Sequence, residues 1–124
     1  MVRVPVLRLG NVLIASVQGA LTDTDLEAMR DELIEQVGKV RARGVVLDVT
    51  VLDVVDSFAT RMLRTIAHMA RLRGAKTVIV GVQPGVAMAM VELGLNFEDV
   101  MTALDLEEGL ALLKASGGGE SGHE

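Results

Sequence analysis

The stretch from residue 44 to residue 61 reads GVVLDVTVLDVVDSFATR and holds the strongest structural signal of the chain. Its first part, residues 44–49, is an apolar, β-branched run of the kind that fills a central strand. After it, apolar residues recur at helical spacing: Met62, Leu63, Ile66, Ala67, Met69 and Ala70. Ser57 lies at the junction, where the free N–H groups and macrodipole of a helix N-terminus favour negative charge. The junction therefore predicts a phosphate acceptor at Ser57.

Strands alternate with helices on both sides of this stretch. The patterns predict strands at 6–9, 12–18, 44–49, 76–80 and 99–102, and helices after Thr22 or Thr24, at 57–73, at 86–93 and after Asp105. Glu27, three residues after Thr24, has the spacing of a capping box. This alternation predicts an α/β fold with a mixed, mostly parallel sheet of about five strands, an N-terminal hairpin and about four helices. We expect one domain over residues 1–116 and a disordered Gly/Ser/Glu tail over residues 117–124.

The amino-acid composition and the net charge exclude several classes of function. The chain has 124 residues, a formal net charge of −5 and no cysteine. The lack of cysteine excludes disulfides and thiolate sites and fits a reducing cytoplasm. The acidic balance argues against a general nucleic-acid binder. The sequence lacks a signal-peptide pattern and an apolar run of the roughly 20 residues that span a bilayer, so we expect a cytoplasmic protein without membrane contact.

The sequence contains few side chains that are suited to catalysis. The two histidines are His68 and His123, and His68 lies eleven positions after Ser57, about 16 Å along a helix and beyond hydrogen-bonding reach. Glycine-rich phosphate loops are absent. Asp53 and Asp56 have the chemistry for acid–base work or Mg²⁺ binding, but turn formation and helix capping explain them better. We expect no catalysis, metal or cofactor; the alternative is a small hydrolase or ligand-binding domain that uses both carboxylates and Ser57.

Ser57 itself has two interpretations. A plain helix cap is the commoner role of a serine at this position. The acceptor interpretation requires Asp56 to cap the helix and leave the Ser57 hydroxyl facing outward. Arg61, one turn later, has the spacing to pair with an added phosphate, whereas Asp53 and Asp56 would repel it. Thr60 is the less favoured second acceptor.

Charge on the two long helices favours association with a protein partner as strongly as it favours plain solubility. The second helix predicts a basic stripe: Arg61, Arg64, His68 and Arg71. The first helix is acidic: Asp23, Asp25, Glu27, Asp31, Glu32 and Glu35. Phe58, an apolar residue beside Ser57, is a further candidate partner contact. Met88 and Met90 lie two positions apart on the short third helix, so one of them at most faces fully inward.

These motifs resemble a STAS domain, the fold of anti-sigma-factor antagonists, as far as about Leu113. Four segments carry the resemblance: VLIASVQG at 12–19 leading to Leu21, VVLDV at 45–49 followed by Asp56-Ser57, GAKTVIVG at 74–81, and VQP at 82–84 running on to VELGL at 91–95. The last segment is similar to STAS proteins of the stressosome in particular. The RsbS-type subunit is most similar, because RsbR-type relatives carry an extra N-terminal sensory domain and usually a threonine acceptor. Simpler antagonists read Asp-Ser-Ser-Gly or Asp-Ser-Thr-Gly, whereas here Phe58-Ala59 follows Ser57.

The resemblance implies a non-catalytic scaffold and phospho-switch subunit of a stressosome. Its partners would be RsbR-type sensory STAS proteins, an RsbT-type serine/threonine kinase that phosphorylates Ser57 and is then released, and a phosphatase that resets it. A STAS dimer within the large assembly is expected. ATP and Mg²⁺ would belong to the kinase, and Asp53, Asp56, Phe58, Arg61 and Arg64 would form the partner-binding surface. The alternative within the same fold is a soluble antagonist that binds one anti-sigma kinase in a small complex.

Overall fold

The computed structural model describes residues 4–19, 21–94 and 100–117. Five strands form one sheet in sequence order: β1 (Val6–Leu9), β2 (Val12–Ser16), β3 (Gly44–Asp48), β4 (Lys76–Val80) and β5 (Met101–Ala103). Four helices connect or follow them: α1 (Asp23–Val40), α2 (Ser57–Leu72), α3 (Pro84–Glu92) and α4 (Leu106–Ala115). The predicted α/β class and the strand and helix numbers are confirmed for this part of the chain.

The sheet is mixed, as the hairpin signal predicts. β1 and β2 pair antiparallel around Gly10, whose φ of 62° suits glycine, while β2, β3, β4 and β5 pair in parallel. The parallel strands all end at the same edge, and every helix begins beyond that edge. Ser57 therefore lies at the carboxyl end of the sheet, where α/β folds commonly place their functional groups.

Helices cover the two faces of the sheet unequally. α1 and α2 pack together on one face, and α3 adds Val86 and Met90 to the same core. α4 packs on the opposite face over β3, β4 and β5. Leu7 and Leu9 of β1 lie opposite Ile14 and Val12 on that second face. Because α4 does not extend over β1, these leucines are 63% and 54% exposed.

Several boundaries differ from the predicted ones. The capping box of α1 uses Thr22 and Asp25, not Thr24 and Glu27: the Asp25 N–H donates to Thr22 Oγ1 at 3.0 Å and the Thr22 N–H donates back to the carboxylate at 3.1 Å. The third helix begins at Pro84, two residues earlier than predicted, because proline at the first helical position loses no hydrogen bond. The second strand ends at residue 16 and the last covers 101–103, while residue 99 and the tail at 118–124 lie outside the described residues.

Candidate functional site

Ser57 is the first residue of α2 and is exposed. Asp56 precedes it as the N-cap, and its Oδ1 accepts a hydrogen bond from the Ala59 N–H at 2.8 Å. With the cap supplied by Asp56, the Ser57 hydroxyl forms no hydrogen bond with any other described residue. The two residues therefore have the arrangement that the acceptor interpretation requires: Asp56 caps the N-terminus of α2, and the exposed Ser57 keeps a hydroxyl without a partner among the described residues.

The loop that presents Ser57 is fixed at its beginning. Asp48 Oδ1 accepts hydrogen bonds from the Thr50 N–H at 3.0 Å and the Thr50 hydroxyl at 2.6 Å. Gln83 Nε2 donates to the Thr50 carbonyl at 2.8 Å and thereby ties this loop to the start of α3. Gly81, with φ of 77°, lies so close to Thr50 that a Cβ would overlap it. Two neighbouring strand ends thus support one loop.

Thr60, the second acceptor considered above, is only 2% exposed. Its hydroxyl donates to the Asp56 carbonyl at 3.0 Å within the first turn of α2. A kinase would reach this oxygen only after that turn opened. The placement favours Ser57 over Thr60 as the accessible hydroxyl.

Phe58 is half-buried and packs against the core on the side of α1 and α2. Its ring therefore anchors the start of α2 and offers only a part of its surface to a partner. More exposed apolar side chains lie elsewhere, at Val51 and Val54 in the preceding loop, at Met88 on α3 and at Leu104 after β5. Met90 is fully buried, so the prediction that at most one of Met88 and Met90 faces inward is confirmed.

The charged residues predicted to contact a partner differ in their exposure. Asp53 and Asp56 are exposed in the loop before Ser57, and Arg61 is exposed one turn after it. Arg64 is half-buried, and its Nη1 donates to the Gly94 carbonyl at 3.3 Å, so it links α2 to the end of α3. Of these two arginines, Arg61 lies nearer to Ser57, and its guanidinium has no hydrogen-bond or ion-pair partner within the described ranges.

A cleft of about 220 Å³ runs beside the N-cap of α2. Its walls come from the β2–α1 connection, α1, the β3–α2 loop and α2, and include Leu21, Leu26, Leu52, Val55 and Ala59. Asp23 and Asp56 contribute carboxylates to its lining. The cleft has the size and apolar character to receive a side chain of a docked protein.

Among the described residues, no three His, Asp or Glu side chains converge closely enough to hold a metal ion. His68 lies near the opposite end of α2 from Ser57, as its spacing predicts. Within the same part of the chain, no helix combines the length and apolarity that crossing a membrane requires.

No local sequence pattern indicated the contact between Gln83 and Thr50, although Gln83 and Pro84 lie in one of the segments that carry the STAS resemblance. Gln83 and Thr50 are 33 positions apart, so only the adjacency of β3 and β4 brings them together. The same holds for Arg41 and Arg43, which the fold places near Arg73.

Comparison with known proteins agrees with this architecture. The sequence model of the STAS domain matches residues 3–109. A serine-to-glutamate variant of RsbS from Moorella thermoacetica superposes with a TM-score of 0.85 at 34% identity, covering 94% of this chain and 98% of that chain. A chain from the structure described as the molecular architecture of the stressosome, a signal integration and transduction hub, gives a TM-score of 0.82 at 34% identity over 91% of this chain and 98% of its own length.

Curated sequences give more distant matches. The RsbT co-antagonist protein RsbRA of Bacillus subtilis is 27% identical over 100 residues, which is 81% of this chain and 36% of RsbRA. The chain thus spans about a third of the length of this relative.

Proposed function

Because the chain belongs to the STAS domain family, we propose that it is a scaffold and phospho-switch subunit of a stressosome, with Ser57 as the switch. Its similarity to RsbS over nearly the full length of both chains supports this assignment. The observation that carries the switch is the free, exposed hydroxyl of Ser57 on a helix whose cap is supplied by Asp56. In this proposal the protein catalyses nothing itself.

A serine/threonine kinase of the RsbT type would bind at the carboxyl edge of the sheet. The exposed Val51, Val54 and Met88, together with the cleft beside Asp56, supply apolar contacts around the acceptor. Asp53 and Arg61 supply charged contacts that orient the kinase on this surface. Phe58 supports the surface from beneath by holding the first turn of α2 against the core.

Phosphorylation would release the kinase by electrostatics. A phosphate adds about −1.5 to −2 charges at neutral pH, next to the carboxylates of Asp53 and Asp56. If the added repulsion and desolvation weaken binding by about 3 kcal/mol, affinity falls by roughly a hundredfold. The fold itself survives, because Ser57 is exposed and lies at a helix N-terminus, which favours negative charge. A phosphatase that hydrolyses the phosphoserine would restore binding.

Assembly with RsbR-type sensory STAS proteins would use other surfaces of the domain. Leu7 and Leu9 form an uncovered apolar patch on an edge strand, of the kind that pairs subunits. We assign the STAS dimer of the assembly to this patch. Residues 1–116 would be the assembling domain, with the segment from 117 onward outside it.

The test is phosphate transfer and release by an RsbT-type kinase, measured on the purified proteins with radiolabelled ATP and by size-exclusion chromatography. Wild-type protein should accept one phosphate and then release the kinase, whereas Ser57→Ala should accept none and retain it. Thr24→Ala is the matched control, since Thr24 is also an exposed hydroxyl residue in the first turn of a helix. Full incorporation into Ser57→Ala would refute the assignment of the switch.

The native mass of complexes recovered from cells separates the scaffold from its alternative. A megadalton particle that contains larger STAS proteins supports the stressosome role. A small complex with one kinase would instead identify a soluble anti-sigma-factor antagonist, and Ser57 would control a single binary interaction.

A further inference from the structure

Three chain segments at the end of the molecule opposite Ser57 are strongly basic, and we call them together the basal end. It comprises residues 37–45, 68–77 and 110–117, where α1, α2 and α4 end and β3 and β4 begin. These residues include no Asp or Glu and seven cations: Lys39, Arg41, Arg43, Arg71, Arg73, Lys76 and Lys114. The chain as a whole has a net charge of −5, so its cations are concentrated in these segments, although Glu92 ends α3 at the same end of the molecule. This concentration of cations marks the basal end as a surface for an anionic partner.

Arg41 occupies a backbone position that ordinarily belongs to glycine. It caps the C-terminus of α1 with φ of 54° and ψ of 48°, and among the described residues it alone has a positive φ without being glycine. A side chain in this left-handed region costs free energy that glycine would not. The chain keeps an arginine here despite that cost, which points to a use for its guanidinium.

Gly38 shows a second departure from helix preference at the same end. It lies inside α1, where glycine is among the least favourable residues. A Cβ at this position would overlap the guanidinium of Arg73. The glycine therefore leaves room for Arg73 to lie across α1. Two locally unfavourable choices, Arg41 and Gly38, thus position two arginines at the basal end.

Arg41, Arg43 and Arg73 line one cleft of about 610 Å³. None of their guanidinium groups forms a hydrogen bond or ion pair with another residue of the described ranges. Leu72, in the same cleft, is 88% exposed. The cleft therefore presents three guanidinium groups, without partners among the described residues, beside the exposed side chain of Leu72.

We infer that this basal cleft binds an acidic peptide segment of a partner protein, one that carries carboxylates around an apolar residue. Guanidinium groups bind carboxylates in a bidentate manner, and Leu72 provides the apolar contact. A small inorganic anion would use neither Leu72 nor the flanking cations Lys39 and Arg71. A long nucleic acid would meet the carboxylates elsewhere on this acidic chain.

This site is separate from the switch. Arg73 follows Ser57 by 16 positions along α2, roughly 24 Å at the rise of a helix. The inference therefore does not depend on phosphorylation of Ser57 or on the kinase. It adds a second partner surface, which remains available while a kinase occupies the carboxyl edge of the sheet.

The experiment is a fluorescence-anisotropy titration of the full chain with a fluorescein-labelled, glutamate-rich peptide that has a central leucine. Wild-type protein should bind it, and added salt should weaken binding. Arg41→Gly and Arg73→Gln should each weaken binding about tenfold, the loss expected for one charge-assisted contact. Gly38→Ala should also weaken binding by displacing Arg73. Arg30→Gln, which removes a cation from the middle of α1, eleven positions before Arg41, should leave the affinity unchanged.

Thermal melts distinguish a binding role from a structural one. Arg41→Gly and Gly38→Ala should melt at or above the wild-type temperature, because each replaces an unfavourable backbone choice by a favourable one. Lost binding with retained stability supports the inference. It is overturned if the peptide does not bind, if Arg30→Gln weakens binding as much as Arg41→Gly, or if inorganic pyrophosphate or phosphatidylglycerol vesicles bind the cleft and the peptide does not.

Discussion

Substitution of Asp56 tests whether this carboxylate acts as a helix cap. Asp56→Ala removes the 2.8 Å hydrogen bond between Oδ1 and the Ala59 N–H, which is the side-chain cap of α2. Loss of an N-cap costs about 1 kcal/mol, within a range of about 0.5 to 2 kcal/mol. Asp56 is exposed, so no cavity or buried charge adds to this cost. We expect the melting temperature to fall by about 3 to 5 °C.

Asp56→Asn separates the cap from the charge. Asparagine caps as well as aspartate, so this variant should lose only the interaction of the charge with the helix dipole, about 0.3 to 1 kcal/mol. The exposed Asp53, which has no hydrogen-bond partner in the described ranges, gives the control Asp53→Ala, with an expected change within about 0.5 kcal/mol.

Thermal and urea unfolding followed by far-UV circular dichroism measure these differences. The order of stability should be wild type, Asp56→Asn, Asp56→Ala, with an unchanged urea m-value. Equal stability of Asp56→Ala and wild type would refute the capping argument. Equal losses in the Asn and Ala variants would show that charge, not the hydrogen bond, stabilises α2.

Three further substitutions probe the acceptor and the core. Ser57→Asp should retain a single cooperative thermal transition, because the site is exposed at a helix N-terminus; a non-cooperative melt would mean that the residue is placed wrongly. Thr77→Val should raise the free energy of unfolding by about 1 kcal/mol in urea titrations, because the Thr77 hydroxyl is buried and has no hydrogen-bond partner among the described residues. A lower free energy of unfolding would mean that this hydroxyl is hydrogen-bonded in solution. Gly109→Ala should lower the free energy of unfolding by about 1 to 3 kcal/mol, because its Cβ would lie 2.7 Å from Val80 Cγ1. The control Gly85→Ala should not lower it, because no atom lies within 4 Å of the added Cβ. Equal effects of the two substitutions would contradict the close packing of α4.

Most of the fold was predictable because its signals are local. The β-branched run at 44–49 is longer than the strand it forms, but it correctly identifies a buried strand of a parallel sheet. Gly10 indicates the hairpin. Asp105 caps the last helix, and its Oδ1 accepts a hydrogen bond from the Glu108 N–H at 2.9 Å. These features depend on a few neighbouring residues and need no knowledge of tertiary contacts.

The helix boundaries were predicted wrongly where the local sequence allows two interpretations. Thr22 and Thr24 both satisfy the sequence rule for an N-cap, and the choice depends on which residue adopts an extended backbone, here Thr22 with ψ of 170°. Pro84 is typical both of a turn and of a first helical position, and the structure shows the latter.

The candidate site was predictable in part for a related reason. Asp56 and Ser57 are adjacent, so the sequence indicates their roles directly. The bond from Gln83 to Thr50 and the cleft shared by Arg41 and Arg73 join residues that are far apart in sequence. Such contacts exist only once β3, β4 and the two long helices have taken their places.

The bonds that hold Thr50 have a kinetic consequence for any enzyme that modifies Ser57. A flexible substrate loop must lose conformational entropy each time it enters an active site, and that loss slows the reaction. Here Asp48 and Gln83 already restrain the loop before an enzyme arrives. Folding therefore supplies part of this ordering beforehand, and an enzyme that modified Ser57 would encounter a preorganised substrate.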